Sequence, residues 1–417
     1  MKKIDIYFLN KKLPNGMLID IKSDQYVKIK IGILNLSNFE LSSGINKINN
    51  IITIYSNIKR INLIFDNIPC NIACNIISKL HNILYQYNNI IDGVKIYKAN
   101  KETSKLMLEL KEYKDIAMDP NKHPDTYLKW IQSNVPSNYK SIVKKTTEKF
   151  FPLTHAVSMG SRYDSYFVHI LPKKIDNNKI NLYLIGKAVT FDSGGLNLKN
   201  NGMHEMKIDM IGSALLVTIL KLLSKDVNVN IHLLLPVVEN MIGMNATRPG
   251  TIIKSMSGKT VEILNTDAEG RLCIADCIDY INMKLIDMKK NNLIIDIATL
   301  TGSAISTTGT ISSIGMSNMK GATYLNQIIE TGENCGEYVD QLKLREEYHY
   351  RLNSSVADIK NCDTMHGCDC ILGGMFLKYF TNDMIPWIHL DIAGPSYDDM
   401  HVTSYGVNLL CEFIDSL

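Results

Sequence analysis

From residue 1 to about residue 100 the chain alternates short apolar runs with polar punctuation. Val27-Lys28-Ile29-Lys30-Ile31 has the period of two of a half-buried strand, and Ile61-Asn62-Leu63-Ile64-Phe65 reads the same way. Over residues 71–87 the apolar positions Ile72, Ile76, Leu80, Ile83 and Leu84 recur at helical spacing. A small α/β domain without a recognisable site is expected over residues 1–100. Leu106, Leu108, Leu110 and Tyr113 then place a linking helix over residues 101–118. Asp119-Pro120-Asn121-Lys122-His123-Pro124 stops it, because proline cannot continue a helix and restricts the residue before it.

Residues 119–417 read as a second, larger domain. Asn181-Leu182-Tyr183-Leu184-Ile185 is a buried strand that runs into Gly186-Lys187-Ala188-Val189-Thr190-Phe191-Asp192-Ser193-Gly194-Gly195. Met206 and Asp209 open a predicted helix carrying Ile211, Leu215, Leu216, Ile219 and Leu223. Val261 to Leu264 reads as a further buried strand, and Ala275-Asp276-Cys277-Ile278 as the helix after it. What lies between them is therefore expected at the carboxyl end of a strand, where open α/β sheets put their sites.

The 417 residues suffice for two domains with a large core in at least one of them. Apolar residues make up 45% and charged residues 21%, the balance of a soluble globular protein. A net charge of +3 offers no electrostatic case for a nucleic-acid or membrane partner. Met1-Lys2-Lys3-Ile4-Asp5 has no apolar leader core, and no run approaches the length of a membrane span. The nine cysteines follow no regular spacing, so reduced thiols and a cytoplasmic location are expected.

The candidate chemistry centres on Leu264-Asn265-Thr266-Asp267-Ala268-Glu269-Gly270-Arg271-Leu272. Asp267 and Glu269 offer hard oxygen ligands beside the fixed cation Arg271. A plainer reading makes Thr266-x-x-Glu269 a capping box, with Asp267 in a helix first turn. Other motifs fall away. Lys187 and Lys259 lack the glycine spacing of a phosphate loop, His204-Glu205 lacks the second histidine of a zincin helix, and no Gly-x-Ser-x-Gly elbow occurs. An acidic, lysine-bearing set remains: Asp192 before a glycine pair, Lys199 just after it, Asp209, and the Asp267–Glu269 segment.

These segments resemble the di-metal leucyl aminopeptidases, or cytosol aminopeptidases. The likeness rests on residues 186–199, Met206-Lys207-Ile208-Asp209-Met210, Arg248-Pro249-Gly250, Asn265 through Leu272, Ala298-Thr299-Leu300-Thr301-Gly302, Val356-Ala357-Asp358-Ile359-Lys360-Asn361 and residues 387–394. It covers roughly residues 118–417, and the Asn-Thr-Asp-Ala-Glu-Gly-Arg string is nearly diagnostic. The implied fold is α/β with two domains, the carboxyl-terminal one a mixed, mostly parallel sheet flanked by helices and carrying a di-metal site.

By that resemblance one divalent metal would be held by Asp192, Asp267 and Glu269, and the other by Lys187, Asp192, Asp209 and Glu269. The lysine ligand would have to bind as its neutral amine. Zn or Mn is implied, with Mg or Co as alternatives. The implied reaction is hydrolytic release of an amino-terminal residue, Leu-like by preference, from peptides with a free amino terminus. Lys199 would stabilise the oxyanion, Arg271 would hold a bicarbonate ion that moves the proton, and Met206, Thr299 and Gly302 would line the side-chain pocket. The family assembles as hexamers, which implies a homohexamer working in intracellular peptide turnover.

Three departures from the family pattern touch detail. The segment from Lys199 to Asp209 is one residue short, Ala188 replaces a common glycine, and Cys368-Asp369 stands where a glycine pair often precedes a helix. Cys362, His366, Cys368 and Cys370 could form a structural zinc site but lack paired Cys-x2-Cys spacing. A non-enzymatic DNA-binding role, known among relatives, is the alternative from another class. The intact ligand set and near-neutral charge argue against it.

Overall fold

The apolar runs resolve into two separate large sheets. The computed structural model describes residues 101–223, 227–365, 367–398 and 401–417, with 2–9, 17–23, 26–32, 48, 58–66, 76–77, 80 and 94–97 before them. Two compact units result. One is Met1–Glu112 with Asn334–Gly336 and Thr403–Asn408; the other is Tyr113–Glu333, Glu337–Val402 and Leu409–Leu417.

In the first unit, β1 (Lys2–Leu9), β2 (Met17–Ser23), β3 (Tyr26–Gly32), β4 (Ile58–Asp66) and β5 (Val94–Tyr97) pair in the order β2-β3-β1-β4-β5. Only the β2–β3 pairing is antiparallel. The two alternating runs are β3 and β4, with Ile29, Ile61 and Leu63 turned inward. Of the helix expected over residues 71–87, positions 76, 77 and 80 are helical and buried; Ile72, Ile83 and Leu84 lie outside the described residues, as do Cys70 and Cys74. The linking helix runs Lys101–Met118, and a second helix restarts at Pro124, whose missing N–H costs nothing in a first turn.

The second unit is built on β6 (Tyr139–Lys145), β7 (Tyr166–Pro172), β8 (Ile180–Gly186), β9 (Ala188–Asp192), β10 (Val229–Asn240), β13 (Asn292–Ala298), β14 (Ser312–Ser317), β15 (Tyr338–Gln341) and β17 (Trp387–Asp391). They pair in the order β15-β14-β17-β13-β8-β10-β7-β6, with β9 added to β10. The sheet is mixed and mostly parallel: β8, β9, β10, β13 and β17 run together, while β6 and β7 close one edge antiparallel. Every position of β10 and β13 is buried, as expected of strands covered on both faces. Tyr183, Ile185, Leu234, Val238, Ile294 and Trp387 from the strands pack with Leu272, Ile274 and Phe376 from helices Gly270–Tyr280 and Asp369–Phe380.

Two local expectations change. The strand before Asp267 is β12 (Thr260–Ile263), and it belongs to a small three-stranded sheet with β11 (Thr251–Lys254) and β16 (Ile359–Lys360). Its burial alternates, because Thr260 and Glu262 face outward and only Val261 and Ile263 reach the core. Met206 and Asp209 do not open the long helix either. Met206 sits in a 3-10 turn, Met203–Ile208, that Asp209 ends, and the α-helix begins at Ile211. That helix seats tightly on the strand ends: a Cβ on Gly212 would lie 2.3 Å from the Ile297 carbonyl oxygen, and one on Gly186 2.6 Å from Ser213 Cα.

A buried histidine pair crosses the antiparallel edge. His169 on β7 and His232 on β10 meet Nε2 to Nδ1 at 3.0 Å, and they are 2 and 4% exposed. Burial holds both rings neutral, lowering His169 to about 3 and His232 to about 4. The unfolded chain therefore takes up the extra protons as the pH drops through about 6.5, the ordinary histidine value. The stabilisation is complete above that value and is lost as the pH falls from about 6.5 to about 4 for His232 and about 3 for His169, at roughly 1.4 kcal/mol per pH unit per histidine. Urea unfolding should show the wild type losing stability from pH 7 to 5 more steeply than the double variant His169→Gln, His232→Gln. Parallel slopes would contradict this account of the pair.

Candidate metal centre

The parallel strands bring their carboxyl ends to one edge of the sheet, and each end delivers a polar group. Lys187 follows β8, Asp192 ends β9, Asn240 ends β10 and Thr299 follows β13. Asp209 enters from the junction between the 3-10 turn and helix Ile211–Leu222. Glu269 is the residue before helix Gly270–Tyr280, and Asp267 lies in the turn that leads to it.

These side chains interlock. Lys187 Nζ is 2.8 Å from both Asp209 Oδ1 and Glu269 Oε1, and it donates to the Thr299 carbonyl at 3.0 Å. Lys199 Nζ spans Asp192 Oδ2 at 2.6 Å and Asp267 Oδ1 at 2.5 Å. Asp192, Asp267 and Glu269 each offer an oxygen within 4.8 Å of the others, the spacing at which one cation could be shared. Lys187, Asp192, Asp209 and Glu269 are 3, 2, 4 and 2% exposed, so bulk water screens little of their interaction. The structure thus gathers all five ligand candidates named from the sequence, with Lys199 beside them.

The charges do not balance. Counted at their formal charges, four carboxylates face two ammonium groups, an excess of two, and the neighbouring Arg271 reduces it only to one. Burial, reinforced by the Glu269 and Asp209 charges, pushes Asp192 well above the usual carboxylate range. Burial likewise pushes Asp209 up to about 7 despite its lysine partner, and raises Asp267 with Glu269 adding to the effect. Burial would raise Glu269 too, yet Lys187 and Lys199 outweigh it and hold that group ionised. For the lysines, burial works against the charge and the surrounding carboxylates overcome it. Asp209 Oδ2 is buried without a hydrogen-bond partner among the described residues. An acid-rich, water-poor cluster with an unspent oxygen donor fits divalent cations.

Glycine backbone makes the close packing feasible. Gly194 and Gly195 adopt φ of 87° and 63°, which turns the chain after Asp192 and lets the Gly194 N–H reach Asp192 Oδ1 at 2.9 Å. Lys187 passes directly over Gly270, where a Cβ would lie 2.7 Å from its Cε and 2.8 Å from its Nζ.

The Asp267–Glu269 turn is clamped from both sides. Thr266 Oγ1 donates to the Gly194 carbonyl at 2.6 Å and accepts from the Asn197 N–H at 2.9 Å. Its hydroxyl is therefore spent on the neighbouring loop, and the capping-box reading of Thr266 and Glu269 is corrected. Asn361, fully buried, accepts from the Leu264 N–H at 2.9 Å and donates to the Asn265 carbonyl at 2.7 Å. Its own carbonyl receives Arg271 Nη1 at 2.8 Å, and Arg271 Nε is buried with no partner among the described residues. In the sequence Asn361 stands only within a string shared with the family and Asn240 belongs to no motif, although a polar residue closing a strand as apolar as β10 is a usable signal.

Of the remaining expected positions, Thr299 touches the cluster directly. Thr299 Oγ1 donates to Asp209 Oδ1 at 2.7 Å, Met206 is half-buried in the 3-10 turn, and Gly302 begins helix Gly302–Thr308 with open space where a side chain would project. Cys362, Cys368 and Cys370 are free thiols of unequal exposure, and the described residues show no metal-ligand grouping there; His366 lies outside them. Cys368, where a glycine pair often stands, holds a left-handed φ of 64° ahead of helix Asp369–Phe380.

Gly270→Ala should drive Lys187 out of its position while leaving the sheet intact. Calorimetric titration with Mn is expected to show binding weakened at least about tenfold, with the far-ultraviolet circular dichroism unchanged. Unaltered binding would contradict the tight seat of Lys187 on Gly270.

Comparison with known proteins places this geometry. Residues 113–411 match the model of the cytosol aminopeptidase family, catalytic domain. A probable cytosol aminopeptidase from Vesicomyosocius okutanii subsp. Calyptogena okutanii is 41% identical over 266 residues, 62% of this chain and 53% of that protein. The cytosol aminopeptidase of Rickettsia prowazekii is 38% identical over 268 residues, 62% of this chain and 52% of that protein. The chain thus spans about half the length of the curated relatives it matches. The structure of the bottromycin maturation enzyme BotP in complex with Mn shares the fold, with a TM-score of 0.81, 24% identity and coverage of 100% of this chain and 99% of that one. Because the family's catalytic-domain model matches residues 113–411, this chain belongs to the cytosol aminopeptidase family.

Proposed function

We propose that the protein is a metal-dependent aminopeptidase that hydrolyses the first peptide bond of substrates with a free amino terminus. The observation that carries this reading is the buried excess of carboxylate over ammonium at the carboxyl edge of the sheet. Family membership supports it, and BotP, a structural neighbour, is described in complex with Mn. In this reading residues 119–417 form the catalytic domain, residues 101–118 connect to it and residues 1–100 form a small amino-terminal domain.

Asp192, Asp267 and Glu269 would hold one divalent cation, and Lys187, Asp192, Asp209 and Glu269 the other. Zn and Mn fit this donor set, with Mg or Co as alternatives. When bound, the cations supply Lewis acidity that polarises the scissile carbonyl and acidifies water. Lys187 would serve as a neutral amine, giving up the proton that Asp209 and Glu269 now favour. Lys199, which bridges Asp192 and Asp267 and is held charged by Asp192, Glu269 and Asp267, is suited to donate to the oxyanion that develops on the substrate. Arg271 has its guanidinium oriented by Asn361 and a buried Nε–H unspent, which suits a small planar anion; bicarbonate held there would carry the proton to the leaving amine. Met206, Thr299 and Gly302 would border the pocket for the first side chain, favouring Leu-like residues. The Thr299 hydroxyl is already directed at Asp209, so its part in that pocket would be through its backbone and methyl. A homohexamer acting in cytoplasmic peptide turnover completes the proposal.

Leucyl-anilide hydrolysis should vanish after chelation and return when Mn or Zn is restored. Glu269→Ala should fold yet show no metal-restored activity. Lys199→Ala should bind metal and lose about 10²- to 10³-fold in kcat, the cost of removing one oxyanion donor. Chelator-resistant hydrolysis, or an active Glu269→Ala, would refute the reading.

A further inference from the structure

Asn240 closes the longest strand of the sheet, 3% exposed, with its side chain turned into the cluster. The β9–β10 pairing slips between Val238 and Asn240, so Asn240 rather than Met241 stands opposite Asp192. The amide spends both N–H donors there. Nδ2 donates to Asp192 Oδ1 at 2.7 Å and to the Thr266 carbonyl at 2.9 Å. The Asn240 carbonyl meanwhile accepts from the Ser193 N–H at 2.9 Å. One residue thereby joins the β9 turn, which carries Asp192, to the β12 turn, which carries Asp267 and Glu269.

The pattern on Asp192 is asymmetric. Oδ1 receives two neutral donors, the Asn240 amide and the Gly194 N–H, while Oδ2 faces Lys199. A carboxylate with one oxygen saturated in this way presents the other outward in a fixed direction. Gly195 locks the amide in turn: a Cβ there would sit 2.9 Å from Asn240 Oδ1 and 3.0 Å from Thr266 Oγ1. An amide that merely filled space would have no need to distribute its donors between two separate turns of the site.

We propose that Asn240 is a positioning residue for the metal centre, fixing the rotamer of Asp192 and its distance from the Asp267–Glu269 turn. This rests on the metallo-aminopeptidase reading above. Loss of such an outer partner typically weakens metal binding about 10- to 100-fold. The test is calorimetric Mn titration of the full chain as wild type, Asn240→Ala, Asn240→Leu, which keeps volume but has no donors, and Asn240→Ser, which keeps one hydroxyl donor. Thermal melts of each protein without metal run alongside.

The expected result is Mn affinity reduced within that range in the Ala and Leu variants and less in Ser, with kcat at saturating Mn lowered more than KM is raised. A purely structural asparagine would instead lower the metal-free melting temperature and leave the affinity of the folded protein within twofold of wild type; that outcome overturns the assignment. If only Asn240→Ser folds, wild-type affinity in that variant overturns it equally. A wild-type protein that binds no Mn would sink the functional reading itself, and this inference with it.

Discussion

Burying like charges side by side is what the rest of this structure is arranged to support. Asp192, Asp209 and Glu269 are brought together where water is scarce, with Asp267 about a third exposed beside them, and two lysines offset only part of their charge. Isolated, each buried carboxylate would take up a proton rather than stay ionised. The upward shifts of Asp192, Asp209 and Asp267 show that tendency, and the ionised Glu269 shows where the lysine charge is concentrated. A protein keeps such an arrangement only if its backbone forbids the groups to separate.

That restraint comes from the sheet. Four parallel strands fix Lys187, Asp192, Asn240 and Thr299 at their ends with no freedom to swing, because β8, β10 and β13 are buried along nearly their whole lengths. Helix Ile211–Leu222 is held against those ends by close glycine contacts, which brings Asp209 in from above. Helix Gly270–Tyr280 carries Glu269 in the same way. The turn between it and β12 is not self-supporting; Asn361 on one side and Thr266 with Asn240 on the other hold it by side-chain bonds. Placing carboxylates on rigid strand ends and helix starts, and clamping the one loop among them, keeps these oxygens convergent.

Much of this was legible in the amino-acid order because charge-dense strings next to buried runs are rare. Asp267 and Glu269 beside Gly270, Asp192 before Gly194-Gly195, Lys199 and Asp209 stand out from the residues themselves, and the family resemblance adds Lys187 to them. The elements carrying strong periodicity, such as Ile180–Gly186 and Lys101–Met118, matched their expected spans. Long-range partnerships were not legible. Thr266 and Glu269 have capping-box spacing, but the hydroxyl is captured by the Gly194 carbonyl and the Asn197 N–H from a distant loop. The sheet that the strand at Val261 joins is not legible either, because nothing local reveals the partners of a short apolar run. Asn240 carries no motif, and its importance emerges only when β9 and β10 are laid side by side. At Cys368 a non-glycine residue occupies a left-handed turn, a conformation that local propensity disfavours and the surrounding fold imposes.

The central claim is that this charge imbalance is a cradle for a pair of divalent cations. Anomalous diffraction at the Mn edge from Mn-soaked crystals tests it most directly. The account predicts two anomalous peaks inside the cluster, one bounded by Asp192, Asp267 and Glu269 and one reached by Lys187 and Asp209. A single peak at the protein surface, or no peak with Lys187 and Lys199 still paired to the carboxylates, would contradict it.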